Sequence, residues 1–244
     1  MIDVHFHALP GIDDGPADWE ESEALVDDAF ADGTEIVVAT PHVLRDPWLN
    51  EDRGVRLGLL AELNRRRKGR PRILPGCELM WCSDILELAE GALQGRGPAV
   101  FLGEGRHLLV EFGPVFPRDA EGAVHELSLM GVTPVVAHPE RTPALVREPR
   151  LLGRLVERGA KAQVEASALL GLLGQRTFAA AQEMWTRGLL HAVASDAHSR
   201  ARRPAGLSAA REWVERNWGA EAVKSLFVSG PALIISAPEG REGA

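Results

Sequence analysis

The sequence predicts an α/β fold in a single domain, a distorted seven-stranded (β/α) barrel, and three observations carry that prediction. Short apolar runs, often β-branched, recur at 2–7, 35–42, 72–79, 107–113, 133–139, 161–167 and 191–198. Between them lie segments of helical periodicity, the alternation expected of parallel βαβ units with right-handed crossovers. Polar residues gather at the C-terminal ends of the runs, where (β/α) barrels assemble their sites. Periodicity alone equally permits an open doubly wound sheet; the placement of the polar residues favours the barrel. The length of 244 residues, 45% of them hydrophobic and 25% charged, suits one large folded unit.

Taken in order, the first run, IDVHFH, puts His5 and His7 on one face and Ile2, Val4 and Phe6 on the other, because successive strand side chains alternate. DWEESEALVDDAFADG then reads as a helix: Asp18 and Glu21 have capping-box spacing, and Gly33 suits the C-terminal stop. Further helices are predicted near 53–68, 83–90, 119–130, 149–158, 176–187 and 205–228. In the sixth run Gln163, Glu165 and Ser167 share one face, which points inward in a barrel. No composition break divides 1–244, and the polar, glycine-rich tail at 237–244 is expected to fray.

Composition excludes several functions. A net charge of −8, from 27 basic and 35 acidic residues, argues against a dedicated nucleic-acid binder. RRRKGRPR at 65–72 reads as the solvated last turn of a helix, where the dipole favours cations. The two cysteines, Cys77 and Cys82, are too few for a disulfide framework and point to the cytoplasm. Neither begins a C-x5-R loop, so cysteine-based phosphatase chemistry is not expected. No signal-peptide pattern opens the chain and no run of about 18 apolar residues occurs, so direct membrane insertion is not expected.

The strand ends supply, in chain order, His5 and His7, His42 in ATPH, Glu78 in PGCE, Glu111 in LLVEFG, His138 in AHPER, and Asp196 with His198 in SDAH; Asp13 and Asp14 follow the first strand. Imidazole and carboxylate together suit Mn, Fe or Zn, and these donors exceed what one ion of roughly four to six coordination takes. A cluster of two or three divalent ions follows. The competing reading, ion pairs and buried hydrogen bonds alone, is costly, since carboxylates crowded together without cations repel one another and lose solvation. His107, His125 and His191 lie away from this end and read as structural.

DVHFH, GIDDG, ATPH, PGCE, HPER and SDAH…RP, in this order, resemble the PHP (polymerase and histidinol phosphatase) superfamily. Within it they resemble the bacterial manganese-dependent tyrosine-protein phosphatases of the CpsB/YwqE type, from residue 1 to about residue 235. The resemblance implies a trinuclear centre, Mn2+ first, with His5, His7, His42, Glu78, Glu111, His138, Asp196 and His198 as ligands. Glu78 and Glu111 suit bridging, and Asp14 would ligate or lie just outside, where it could also act as proton donor. Arg141, three residues after His138, and Arg203, five after His198, fall where the family has functional arginines; Arg202 is the neighbouring candidate. A guanidinium meets phosphate with paired hydrogen bonds and stays charged.

The activity so implied is hydrolysis of phosphotyrosine in proteins by a metal-activated hydroxide. Phenol, with a pKa of about 10, leaves without a strong general acid. The implied partner is a bacterial tyrosine autokinase controlling capsular or extracellular polysaccharide; the oligomeric state is not implied. The alternatives are a PHP phosphoesterase for a small phosphomonoester such as histidinol phosphate, or for a phosphodiester. A catalytically silent PHP module would have lost ligands or arginines, and none is missing. Glu165 departs from the uncharged polar residue usual in the family, and Phe6 from a small one. Trp48, in the long segment after His42, is a candidate rim residue. The chain contains no tyrosine, so its own tyrosine phosphorylation cannot regulate it.

Overall fold

In the computed structural model, residues 1–237 are described. All seven predicted runs form strand, and two of them are broken. β1 (Ile2–Phe6) pairs with β2 (Ile36–Ala39), and β2 with β4 (Arg72–Pro75), in a three-stranded sheet. A six-stranded sheet follows in the order β3 (His42–Val43), β5 (Glu78–Met80), β6 (His107–Glu111), β7 (Thr133–Ala137), β8 (Lys161–Glu165) and β9 (Ala192–Ala194). Every pairing is parallel. Seven expected strands are thus nine segments in two sheets. One break falls at Pro41, which has no N–H for the ladder and whose carbonyl instead accepts from Glu78 N at 3.0 Å. The other falls at Gly76, where a Cβ would lie 2.7 Å from Val38 Cγ1. Beyond β9 the chain returns to β1: Asp196 N donates to His5 O at 3.0 Å and His7 N to Ala197 O at 2.9 Å.

The crossover helices follow the predicted order. α1 (Trp19–Ala31) is capped by Asp18, whose carboxylate accepts from Glu21 N at 2.9 Å, while Glu21 accepts from Ala17 N. α2 (Arg53–Arg67), α3 (Ile85–Leu93), α4 (Ala120–Leu129), α5 (Pro143–Arg147) and α6 (Arg150–Glu157) complete the first three quarters. α7 (Ala166–Leu169) begins straight after β8, so Ser167 is helical and only Gln163 and Glu165 share the strand face. After α8 (Gln175–Thr186), the single helix expected over 205–228 is instead α9 (Ser208–Trp218), α10 (Ala220–Lys224), a π-turn over Ser225–Ser229 and α11 (Gly230–Ile235). The first division falls at Gly219, whose φ of 88° no helix accepts. Much of the basic run at 65–72 is paired: Arg65 and Arg66 bond Glu62, Arg66 also Glu23, Arg67 Asp27 and Arg72 Glu104. Of the tail expected to fray, 238–244 lie outside the described residues.

Val4, Val38, Leu109 and Val135 form an inner cluster with Ile234 and Ile235 of α11, whereas Phe6 packs outward against Leu25 and Val26 of α1. Val4 and Phe6 therefore do not share a face, although strict alternation places them on the same one. The register with β2 shifts between Asp3 and Phe6, and that irregularity turns the end of the strand relative to its start. It also lets buried Asp3 accept from Ser195 N and His5 N, although burial pushes its carboxyl up to about 6.

His107 and His191 lie at the opposite end of the strands from the histidines of the donor set, and His125 lies in α4, as expected. Burial, with Lys161 nearby, pushes both down to about 4 from the ordinary 6.5. The unfolded chain therefore takes up protons on them below about 6.5 that the folded chain refuses until about 4, so their contribution to stability is lost as pH falls through that window. Replacing both with Gln should shrink the drop in unfolding temperature between pH 6.5 and 4; an undiminished drop would contradict this account.

Candidate metal centre

All of the predicted donors converge on one side of the sheets, with His42 and Glu78 opening β3 and β5 just past the breaks. His5 in β1 and His7 just after it are both fully buried. His5 Nδ1 lies 3.0 Å from Gln163 Oε1, and His7 Nδ1 2.7 Å from Asp13 Oδ2. With each Nδ1 facing an oxygen, the two Nε2 atoms are left facing each other 3.3 Å apart, the atoms by which a neutral imidazole would ligate a metal. Such a pair calls for a cation between them. Asp13 is held in turn by Gly15 N at 2.9 Å and also accepts from His42 N at 3.1 Å. Gly15 permits the tight loop, since a Cβ there would lie 2.9 Å from Asp13 Oδ1 and 3.0 Å from His7 Cβ.

Carboxylates fill the space between the rings. Glu78 Oε2 is 2.7 Å from His42 Nδ1 and 3.4 Å from His5 Nε2, and its Oε1 is 2.9 Å from His138 Nε2. Asp196 Oδ1 is 3.1 Å from His5 Nε2, and Asp14 Oδ1 is 3.1 Å from His42 Nε2 and 3.3 Å from His198 Nε2. Glu78 Oε2, Glu111 Oε2 and Asp196 Oδ1 are buried without an aligned hydrogen bond. Burial opposes the charge on Glu78 and Asp196, yet the histidines around them hold both well below the usual carboxylate range. Burial likewise opposes a proton on His5, and the carboxylates of Asp196 and Glu78 overcome it, raising that ring to about 8. Both effects describe a pocket that demands positive charge.

Four groups of donor atoms can each surround one ion: His7, Asp14, His42 and His198; His5, His7 and Asp196; His5, Glu78 and His138; and His42, Glu78 and Glu111. They overlap in a ring through His7, His5, Glu78 and His42. All eight predicted ligands and Asp14 belong to it. The orphaned carboxylate oxygens and the paired bare nitrogens fit divalent cations in a mixed N/O donor set. His138 and Asp196 have φ of 31° and 53°, a left-handed backbone that non-glycine residues adopt at cost and that recurs at functional sites.

The arginines stand at the edge of this ring. Arg141 Nη1 donates to Asp196 Oδ2 at 2.9 Å and to Glu165 Oε2 at 3.1 Å. Arg203 bonds the same Asp196 oxygen and lies 3.0 Å from His198 Nε2, whereas Arg202 is exposed. Two clefts flank Arg141. One, of about 490 Å³, opens between α5 and α8; the other, of about 500 Å³, is bounded by Arg45, Glu111, Phe112 and His138.

The family described as capsular polysaccharide synthesis, CpsB/CapC, matches residues 1–236. The chain belongs to the CpsB/CapC family. It is 34% identical over 239 residues to the tyrosine-protein phosphatase YwqE of Bacillus subtilis (strain 168), covering 96% of this chain and 91% of YwqE. A solved structure, from work describing YwqE of Bacillus subtilis and CpsB of Streptococcus pneumoniae as unique metal-dependent tyrosine phosphatases, superposes with a TM-score of 0.87 at 32% identity, covering 99% and 100% of the two chains. The lactonase Lmo2620 of Listeria monocytogenes, at 14% identity, a TM-score of 0.59 and coverage of 98% and 95%, shares the fold alone.

Four residues of this CpsB/CapC chain had no assigned role in the sequence reading. Asp13 orients His7, and Gln163 orients His5. Arg45 lies 3.3 Å from Glu111 Oε2 and against His42, whose ring stacks on Trp48 at 5.5 Å. Glu140, buried and pushed up to about 8 by burial, accepts from Glu165 N at 2.9 Å and ties the turn after β7 to β8. Asp13 left a signal in GIDDG, Gln163 in the inward face of the sixth run and Glu140 in HPER, whereas Arg45 left none. Asp13→Asn keeps an acceptor for His7 but removes the charge that makes its ring a better donor. Manganese affinity should fall by at least about tenfold in a calorimetric titration, the lower range for such partners; unaltered affinity would strip Asp13 of this role.

Proposed function

We propose that this CpsB/CapC chain is a metal-dependent protein-tyrosine phosphatase whose residues 1–244 form one PHP domain, a distorted barrel of seven strands with two of them interrupted. The observation that carries the reading is the ring of four overlapping donor groups with two arginines meeting on its member Asp196. The ring suits two or three ions. The group of His7, Asp14, His42 and His198 shares no residue with that of His5, Glu78 and His138, nor does that of His5, His7 and Asp196 with that of His42, Glu78 and Glu111, so either pair could hold two ions and a third would share ligands with them. The mixed N/O set without thiolate suits Mn2+, with Fe or Zn as the alternatives.

Bound divalent cations supply Lewis acidity at phosphoryl oxygens and make hydroxide available near neutral pH. The chain's own residues do the rest. Arg141 and Arg203 grip the outer phosphoryl oxygens, where negative charge rests during in-line displacement. Glu165 and Asp196 hold the Arg141 guanidinium so that little ordering remains at the moment of reaction. Asp14, opposed by burial but bonded to His198 and His42, is held below the usual carboxylate range, which fits it to bind cations more than to give up a proton. A phenolic leaving group does without such a donor. The physiological substrate in this reading is a phosphotyrosyl protein, a tyrosine autokinase of polysaccharide export, met in the cytoplasm; no helix among the described residues is long and apolar enough to cross a membrane.

Side-by-side kinetics of the manganese-loaded protein on a phosphotyrosyl peptide, histidinol phosphate and a phosphodiester test the reading. The peptide should be turned over preferentially and a chelator should stop it. Comparable turnover of all three would overturn the substrate, and chelator-resistant turnover the metal.

A further inference from the structure

We propose that the cleft between α5 and α8 is a peptide-recognition subsite in which Arg176 selects substrates carrying an Asp or Glu beside the phosphotyrosine. This rests on the phosphatase reading above. The cleft is lined by Arg141 and Arg203, the two phosphate-gripping residues, by the apolar side chains of Pro143, Val146 and Leu173, and by Arg176 in the first turn of α8. A phosphotyrosine held by the two arginines can lay its ring on that wall, which brings its neighbours in the peptide towards Arg176.

The charges single out Arg176. Arg141 and Arg203, the other two cations lining the cleft, are each bonded to a carboxylate. Arg176 is exposed, and among the described residues no carboxylate lies within 4.0 Å of it. Of the two acids in the cleft, Glu165 is held by Arg141, and Glu140 is tied to the Glu165 amide. On a protein of net charge −8, an acidic peptide is repelled in general, so a free cation in the cleft decides locally which flanks are accepted. Leu172 and Leu173, 73% and 40% exposed in the turn before α8, extend apolar surface past the same rim for the peptide to lie on.

The test uses full-length, manganese-loaded protein and phosphotyrosyl peptides identical except for Asp, Asn or Lys beside the phosphotyrosine, in sets with that residue before and after it. In at least one set the parent protein should prefer Asp to Asn in kcat/KM by about three- to fivefold, the scale of one well-placed, partly exposed ion pair. Salt should erode the preference. Arg176→Gln should bring the ratio to about one, and Arg176→Glu should turn it in favour of Lys. Each value is a ratio within one protein, so a general loss of activity cannot imitate the result. No Asp preference in the parent, or a preference that survives both substitutions, overturns the proposal while hydrolysis of phosphotyrosine itself leaves the phosphatase reading standing. Failure to hydrolyse any phosphotyrosyl compound overturns both.

Discussion

Asp196→Ala is expected to leave the protein folded, without its manganese and without measurable phosphatase activity. Asp196 joins the donors of the centre to both arginines: it touches His5 at 3.1 Å, His7 at 3.5 Å, Arg141 at 2.9 Å, and Arg203. Partners outside the ligand sphere already cost 10- to 100-fold in affinity when lost, so a ligand should cost more than about 100-fold. Folding should survive, because Asp196 lies outside the apolar clusters that hold the sheets and helices together. Two positive charges, Arg141 and Arg203, then lose their shared acceptor, which adds a loss of orientation to the loss of metal. Metal content after dialysis against Mn2+, circular dichroism and peptide hydrolysis read the three parts. Near-parental metal content in a folded Asp196→Ala protein would remove Asp196 from the ligand set. Because both arginines are bonded to Asp196, its substitution and that of Arg141 should fall well short of additive in a double-mutant cycle read on unfolding free energy.

The reach of the sequence follows from how each feature is encoded. Strand ends in a parallel α/β fold share one side of the molecule, so His5, His42, Glu78, Glu111, His138 and Asp196 could be gathered from order alone, without any knowledge of contacts. The spacing of two in His5 and His7 needed only the strand period. What order does not encode is local departure from the period. The irregular register near Asp3 separates Val4 from Phe6, and Pro41 and Gly76 cut two runs that look continuous. Gly219 and the π-turn divide a helix whose apolar spacing carries through the break. The supporting residues were hidden for a related reason. Glu140 sits in a short 3-10 turn, where neither helical nor strand spacing says which way a side chain points. Arg45 comes back to Glu111 from a loop with Leu44 and Asn50 in left-handed conformations, which no periodicity describes. Arg176 looked like any surface arginine; only the cleft beside it and the pairing of its neighbours set it apart.

Arg141→Ala should separate binding of metal from use of it. The guanidinium is bonded to Asp196 and Glu165 but belongs to none of the four donor groups, so manganese should be retained. Turnover of a phosphotyrosyl peptide should nevertheless fall by about 10²- to 10³-fold, the usual cost of removing one preorganised donor from developing negative charge, or about 3 to 4 kcal/mol of barrier. Most of the loss should fall on kcat, since the charge it meets grows in the transition state. Arg141→Lys should recover only part, because a single ammonium cannot reproduce the paired geometry of the fork. Its position also makes the loss independent of leaving group. A nitrophenyl phosphate and a peptide should be slowed alike, whereas loss of a proton donor would slow the poorer leaving group more. Full turnover in a manganese-loaded Arg141→Ala protein would transfer the phosphate-gripping role to Arg203 alone, and a parallel loss of manganese would make Arg141 a structural support of Asp196.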